Sequence, residues 1–145
     1  MKKKILAGAT ASVMASIMLA RTAMAAEYKV GIIQFVDDAS LNQIETAIEA
    51  RLDARSEEGE DKFIYEGYVY NGQADPTTLN QIASQLLADG VDVIVPIATP
   101  AAQIVQAATE DNEIPVVFSA VSDPVGAGLA DNMEAPGANI TGTSD

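Results

Sequence analysis

The sequence predicts an α/β fold: a three-layer α/β/α lobe in which helices cover both faces of a parallel sheet. Three observations carry that expectation. Short β-branched runs such as Val30-Gly31-Ile32-Ile33 and Val93-Ile94-Val95 alternate with longer stretches of helical periodicity. The runs are nearly continuous rather than alternating, as in strands buried on both faces. Cap–proline pairs recur at Asp75-Pro76, Thr99-Pro100 and Asp123-Pro124, 24 residues apart. No L-x-x-L-x-L pattern accompanies that period, so it marks successive strand–helix units rather than a leucine-rich repeat. Strict β–α alternation implies crossover connections and parallel pairing; a flavodoxin-like strand order is expected.

The first 25 residues stand outside this pattern. Lys2, Lys3 and Lys4 precede an apolar or small stretch, Ile5–Ala20, and Ala23-Met24-Ala25 has the small-x-small form of a signal-peptidase site. The stretch is short for a membrane span and is closed by Arg21. A cleaved signal peptide is therefore expected, with the mature chain running from Ala26 to Asp145. No Cys lies near the cut, so neither a lipid anchor nor membrane insertion of the mature chain is expected.

Lys29–Phe35 reads as the first strand. Ser40 and Gln43 have capping-box spacing ahead of a helix with Leu41, Ile44, Ile48 and Leu52 on one face, running to about Arg55. Ser56–Lys62 is charged and reads as a loop, and the aromatic-rich Phe63–Asn71 reads as the second strand. Asp75 caps a helix with Pro76 in its first turn and Leu79, Ile82, Ala83, Leu86 and Leu87 on one side; Gly90 ends it. Val91–Ile97 is the third strand. Thr99 is expected to cap the third helix, with Pro100 at its first position. Ile114–Ser119 is the fourth strand, Val125–Asp131 a weak helix behind Asp123-Pro124, and Asn139–Thr143 a fifth strand.

Composition removes several function classes. The chain carries a net charge of −13. Loss of the signal takes four of the eight basic residues and none of the 21 acids, leaving −17. Such a surface repels nucleic acid and anionic lipid, which excludes both as partners. With no His and no Cys, the usual general base, thiolate nucleophile and zinc ligands are missing. No P-loop, G-x-S-x-G or G-x-G-x-x-G motif occurs. Asp37-Asp38 is similar to the acidic pair of a receiver domain, but the third strand ends Pro96-Ile97-Ala98-Thr99 without the required Asp. A polar strand end is the simpler reading of that pair, with a carboxylate metal site and metalloenzyme activity as the alternative.

Ligands of parallel α/β sheets bind at the carboxyl ends of the strands. That edge collects Gln34–Asp38, Asn71–Asp75, Ala98–Pro100, Ala120–Asp123 and Thr143–Asp145. The Thr99 hydroxyl and the first amides of its helix, Ala101 and Ala102, suit a carboxylate. Asp123 and Asp145 suit a cation, and Phe35 offers a stacking surface. Together they fit a small zwitterion such as an α-amino acid. The competing reading is that Thr99 and Asp123 only cap their helices.

The stretches VGIIQF, IATPAAQ, IPVVFSAVSDPVGAGL and PGANITGTSD, in this order, resemble the substrate-binding proteins of ABC transporters, in the group that binds tryptophan, tyrosine or phenylalanine. The resemblance spans Tyr28–Asp145. It implies the N-terminal lobe of a type I periplasmic binding fold, working without catalysis or cofactor as a monomer. It further implies a periplasmic protein that captures an aromatic amino acid between two lobes and delivers it to a permease. It assigns the cleft to Thr99, Pro100 and Ala101, to Ala120, Val121, Ser122 and Asp123, and to Ser144 and Asp145. With Gln34, Phe35 and Ala98 from the same edge, these are the expected ligand-binding residues. Where relatives carry an acid followed by His-Pro, this chain has Asp37-Asp38-Ala39. Relatives also continue into a second lobe, so the sequence is expected to be a fragment. A secreted sensor domain of the same fold, feeding a receptor, is the alternative.

Overall fold

The computed structural model describes residues 24–145; the expected signal segment falls almost wholly outside them. The elements run β1 (Glu27–Gln34), α1 (Ala39–Glu58), β2 (Lys62–Ile64), β3 (Val69–Asn71), α2 (Pro76–Ala88), β4 (Val93–Ile97), α3 (Thr99–Thr109), β5 (Val116–Phe118) and β6 (Ile140–Gly142). All pairings are parallel, in the order β2-β1-β4-β5-β6, and β3 also pairs with β1. If β2 and β3 count as one interrupted edge strand, the order is the flavodoxin-like 2-1-3-4-5.

The interruption corrects the single second strand expected over Phe63–Asn71. Tyr65–Tyr68 forms a turn, closed by Tyr68 N–H donating to Tyr65 O at 2.8 Å. Gly67 occupies φ +87° there, a conformation that costs a side-chain-bearing residue strain. The aromatic residues still pack: Tyr28 stacks on Phe63 at 5.7 Å between ring centroids.

Helices cover both faces. Under α2 and α3 the core contains Ile33, Leu79, Leu86, Ile94, Val105, Val116 and Phe118. Full burial of each large aliphatic side chain contributes about 1.5–3 kcal/mol. Leu41, Ile44, Ile48 and Leu52 of α1 pack on Val30, Ile32, Val95 and Ile97 of the other face. No residue of α1 is fully buried, because it shields only part of that face. Beside it Val93, Val95 and Val117 floor an open groove of about 380 Å³.

Both ends of α1 and one whole helix differ from expectation. Asp38, not Ser40, caps α1: its carboxylate accepts from Ser40 N–H at 2.8 Å and its backbone is extended. The helix continues to Glu58, into the expected loop, before the chain turns at Gly59. The helix expected over Val125–Asp131 is instead a set of overlapping turns, including Gly128 N–H to Val125 O and Leu129 N–H to Pro124 O. Gly126 and Gly128 within it each cost helix about 1 kcal/mol relative to Ala, more than so short a segment recovers. The Asp75 cap and Pro76 of α2 are as expected. Among the described residues no helix is long and apolar enough to cross a membrane.

Candidate functional site

Parallel registry aligns the strand ends. Gln34 is paired with Asn71 and with Ile97, Ile97 bridges to Ser119, and Phe118 is paired with Gly142. The residues that follow are therefore neighbours along one edge. Ala98 N–H donates to Ser119 O at 3.0 Å, Thr143 N–H to Phe118 O at 3.0 Å, and Phe35 N–H to Ile97 O at 3.3 Å.

Four of the six non-glycine residues at positive φ in the described chain lie there, the other two, Glu113 and Ala138, preceding β5 and β6. Ala98 lies at φ 79°, ψ 155°, a region almost reserved for glycine, and Ala120 at φ 54°. Gln73 and Ala74, in the loop after β3, are both at φ 55°. Each such residue costs on the order of 1–3 kcal/mol, sustained by the surrounding structure, and functional sites are where such strain collects. Alanine gives no sequence signal for positive φ, so none of this was legible beforehand.

At α3 the expected Thr99 cap is corrected. Ala98 is the N-cap: its carbonyl accepts from Ala102 N–H at 3.1 Å, and no side chain makes a capping hydrogen bond. The helix thus starts one residue early, with Thr99 in its first position and Pro100 in its second. Ala102 N–H is used within the helix, and Pro100 has none. The backbone donors left at the tip belong to Thr99 and Ala101. Among the described residues no side chain caps them, and they sit at the positive end of the helix dipole, Thr99 half-buried and Ala101 fully buried.

The other expected residues divide between wall and interior. Phe35, Ala98, Thr99, Pro100 and Ala120 are half-buried along the edge. Ser122, Asp123, Ser144 and Asp145 are exposed, and Ser144 Oγ reaches Ser122 O at 3.5 Å, bringing the β5 and β6 loops together. Ala101 and Val121 are fully buried, backbone as well as side chain. Gln34 is 1% exposed; its Nε2 donates to Val36 O at 2.5 Å and to Asn42 Oδ1 at 2.7 Å. Asp123 Oδ1 accepts from Gly126 N–H at 2.8 Å and so orders the turn behind it.

Acids lie at both ends of the sheet, but among the described residues basic ones lie only away from the candidate edge. The edge carries Asp37, Asp38, Asp75, Asp123 and Asp145. The four basic residues of the described chain, Lys29, Arg51, Arg55 and Lys62, sit at the start of β1, in the last turns of α1 and at the start of β2, toward the opposite end. Hydrogen bonds from the Thr78 hydroxyl and N–H hold the Asp75 carboxyl below its usual range. Among the described residues no group of three or more acids is placed to hold a metal ion. Such an edge offers an anion only helix dipoles and amides, and offers a cation several carboxylates.

The model of a family described as ABC transporter substrate binding protein matches residues 29–145. The tyrosine-binding protein of Clostridioides difficile (strain R20291) is 38% identical over 116 residues, 80% of this chain and 32% of the relative. Among solved structures, an ABC domain from Streptococcus pneumonia in complex with L-Trp superposes with a TM-score of 0.70 at 38% identity, over 83% of this chain and 39% of that one. A substrate binding protein with adhesive properties from Clostridium difficile, in a ligand-free, open form, gives 0.68 at 37% identity, over 81% and 39%. The chain thus spans about a third of the curated relative's length.

Proposed function

The chain belongs to the ABC transporter substrate-binding protein family, and from that premise we propose that it forms one wall of a cleft for an aromatic amino acid. The start of α3 carries this reading: half-buried Thr99 offers a hydroxyl and a backbone amide that no side chain among the described residues caps. The ligand carboxylate sits at that tip, where the dipole and charge-assisted hydrogen bonds favour it. Its ammonium faces Asp123 and Asp145, and its ring lies against Phe35. Ser122, Ser144 and the strained backbone at Ala98 and Ala120 complete the wall. The tyrosine-binding relative and the neighbour holding L-Trp support this ligand class.

The remaining parts of the reading follow from the length of the relatives and from the first 25 residues. A second lobe closes over the ligand, buries it, and presents the closed form to a permease. The protein is exported, cut after Ala25, and acts as a periplasmic monomer.

Calorimetric titration of the protein expressed from its complete reading frame, with L-tryptophan, L-tyrosine and L-phenylalanine, tests the reading. Saturable binding of at least one is expected. An absence of heat with all three removes the assignment.

A further inference from the structure

We infer that Asn42 is a positioning residue for the ligand-facing loop between β1 and α1, acting through an amide relay that ends on Asp37. The inference rests on the functional reading above and adds a residue to it. Gln34 closes β1, and its buried amide spends both protons on the loop, one on Val36 O and one on Asn42 Oδ1. The Asn42 Nδ2 then donates to Asp37 Oδ1 at 2.8 Å, and Asn42 N–H donates to Asp38 O at 2.8 Å. Val36, Asp37 and Asp38 are therefore each tied to Gln34 or Asn42.

The rest of the loop's surroundings makes its position matter. Phe35, next to Gln34, is bonded to Ile97 through its N–H and to Ala74 through its carbonyl, so the loop is continuous with the strand ends of β4 and β3. Asn42 itself is exposed on the first turn of α1 and fills no core position. Its amide is suited to the role because one end accepts from Gln34 while the other donates to Asp37. A carboxylate at position 42 keeps the first bond and sets two like charges against each other in the second.

Exchanging the two groups tests the relay. With Asp37→Asn and Asn42→Asp together, the amide at position 37 donates and the carboxylate at position 42 accepts from it and from Gln34, so the chain of bonds is restored with reversed polarity. L-tryptophan and L-tyrosine affinities and melting temperatures are measured for the complete protein, both single variants and the double variant. Asn42→Asp is expected to weaken affinity about tenfold in the wild-type background, and to change it less than about twofold when Asp37→Asn is already present. An equal loss in both backgrounds overturns the inference while leaving the functional reading in place. A melting-temperature change without an affinity change also overturns it, because the pair is then structural only. A wild type that binds neither amino acid overturns the functional reading and this inference with it.

Discussion

Asn139 reaches across the fold to Thr109: its Nδ2 donates to Thr109 Oγ1 at 3.1 Å and to Ile114 O at 2.6 Å. Thr109 is fully buried at the end of α3 and passes its own proton to Val105 O at 2.9 Å. One amide therefore fixes the entry to β6 against the exit of α3, satisfying groups that burial would otherwise leave unpaired. Asn139→Ala is expected to destabilise the fold by about 1–3 kcal/mol, the cost of orphaned buried polar atoms. Urea unfolding of the two proteins checks this, and a midpoint unchanged by the substitution contradicts it.

Gly142 is a second constraint on the same strand. A Cβ built there would collide with Phe118 O and with the Phe118 ring. Neither atom yields cheaply, since one is backbone and the other a core side chain. Gly142→Ala should cost about 1–3 kcal/mol by overpacking and should displace Thr143–Asp145. The expected pattern is a lower melting temperature together with weaker amino-acid affinity. A loss in neither property would show that β6 shifts freely.

These two residues mark what the sequence could and could not reveal. The parallel sheet, the set of strand ends and the alternation of elements were legible except at the split second strand and between β5 and β6, where no helix forms, because continuous β-branched runs and cap–proline pairs are local signals. The break at Gly67 carried a local signal, since Glu66-Gly67 weakens the strand at its centre, but the aromatic and β-branched residues on either side outweighed it. The capping roles moved by one or two residues, to Asp38 and Ala98, because several competent residues lie side by side and tertiary hydrogen bonds choose among them. At Ala98 the N–H is held by the Ser119 carbonyl, just past the end of β5. The Gln34–Asn42–Asp37 relay was invisible for the same reason: an exposed Asn on a helix carries no pattern of its own.

Glu45 makes a pH-dependent prediction. Partial burial raises its pKa above the ordinary 4.5, with Glu49 and Asp37 adding repulsion. A carboxyl whose folded pKa is raised favours the folded state while protonated, and that benefit is lost as pH rises through the folded pKa. At neutral pH the charged form is therefore a liability, and relief of the Glu45–Glu49 repulsion alone is worth about 0.2–0.5 kcal/mol. Glu45→Gln should raise the melting temperature at pH 7 and lose its advantage below about pH 4.5, the ordinary carboxyl value. An advantage that persists undiminished in acid would point to a cause other than ionisation.

Asp75 has the opposite sign. Hydrogen bonds from Thr78 lower its pKa below 3.8, so the carboxylate supports the fold above that value and the support disappears as pH falls through the folded pKa. Asp75→Ala should lower the melting temperature at pH 7, with the gap to wild type narrowing in strong acid. Asp75→Asn, which keeps an acceptor for the Thr78 N–H, should lie between the two at neutral pH. Parallel thermal melts across the acid range decide it: a gap independent of pH would mean that the cap acts through its geometry and not its charge.

Thr99 provides the sharpest test of the proposed site, because of the way α3 begins. Had Thr99 been the cap, its replacement would have damaged the helix and the ligand contact together. The cap is Ala98, closed by the Ala102 N–H, so the Thr99 side chain is free of that duty. Thr99→Val preserves shape and β-branching and removes only the hydroxyl. In the complete protein it should weaken amino-acid binding by about 1–3 kcal/mol, as expected when a charged group loses one partner, with the melting temperature of the ligand-free protein unchanged. The described chain contains no Trp, so this lobe adds no indole background when the fluorescence of bound L-tryptophan is read. Weakened binding with intact stability places the ligand carboxylate at the tip of α3. Equal affinity in the two proteins moves it elsewhere along the edge, and Asp123, with Ser122 and Ser144 beside it, becomes the next position to vary.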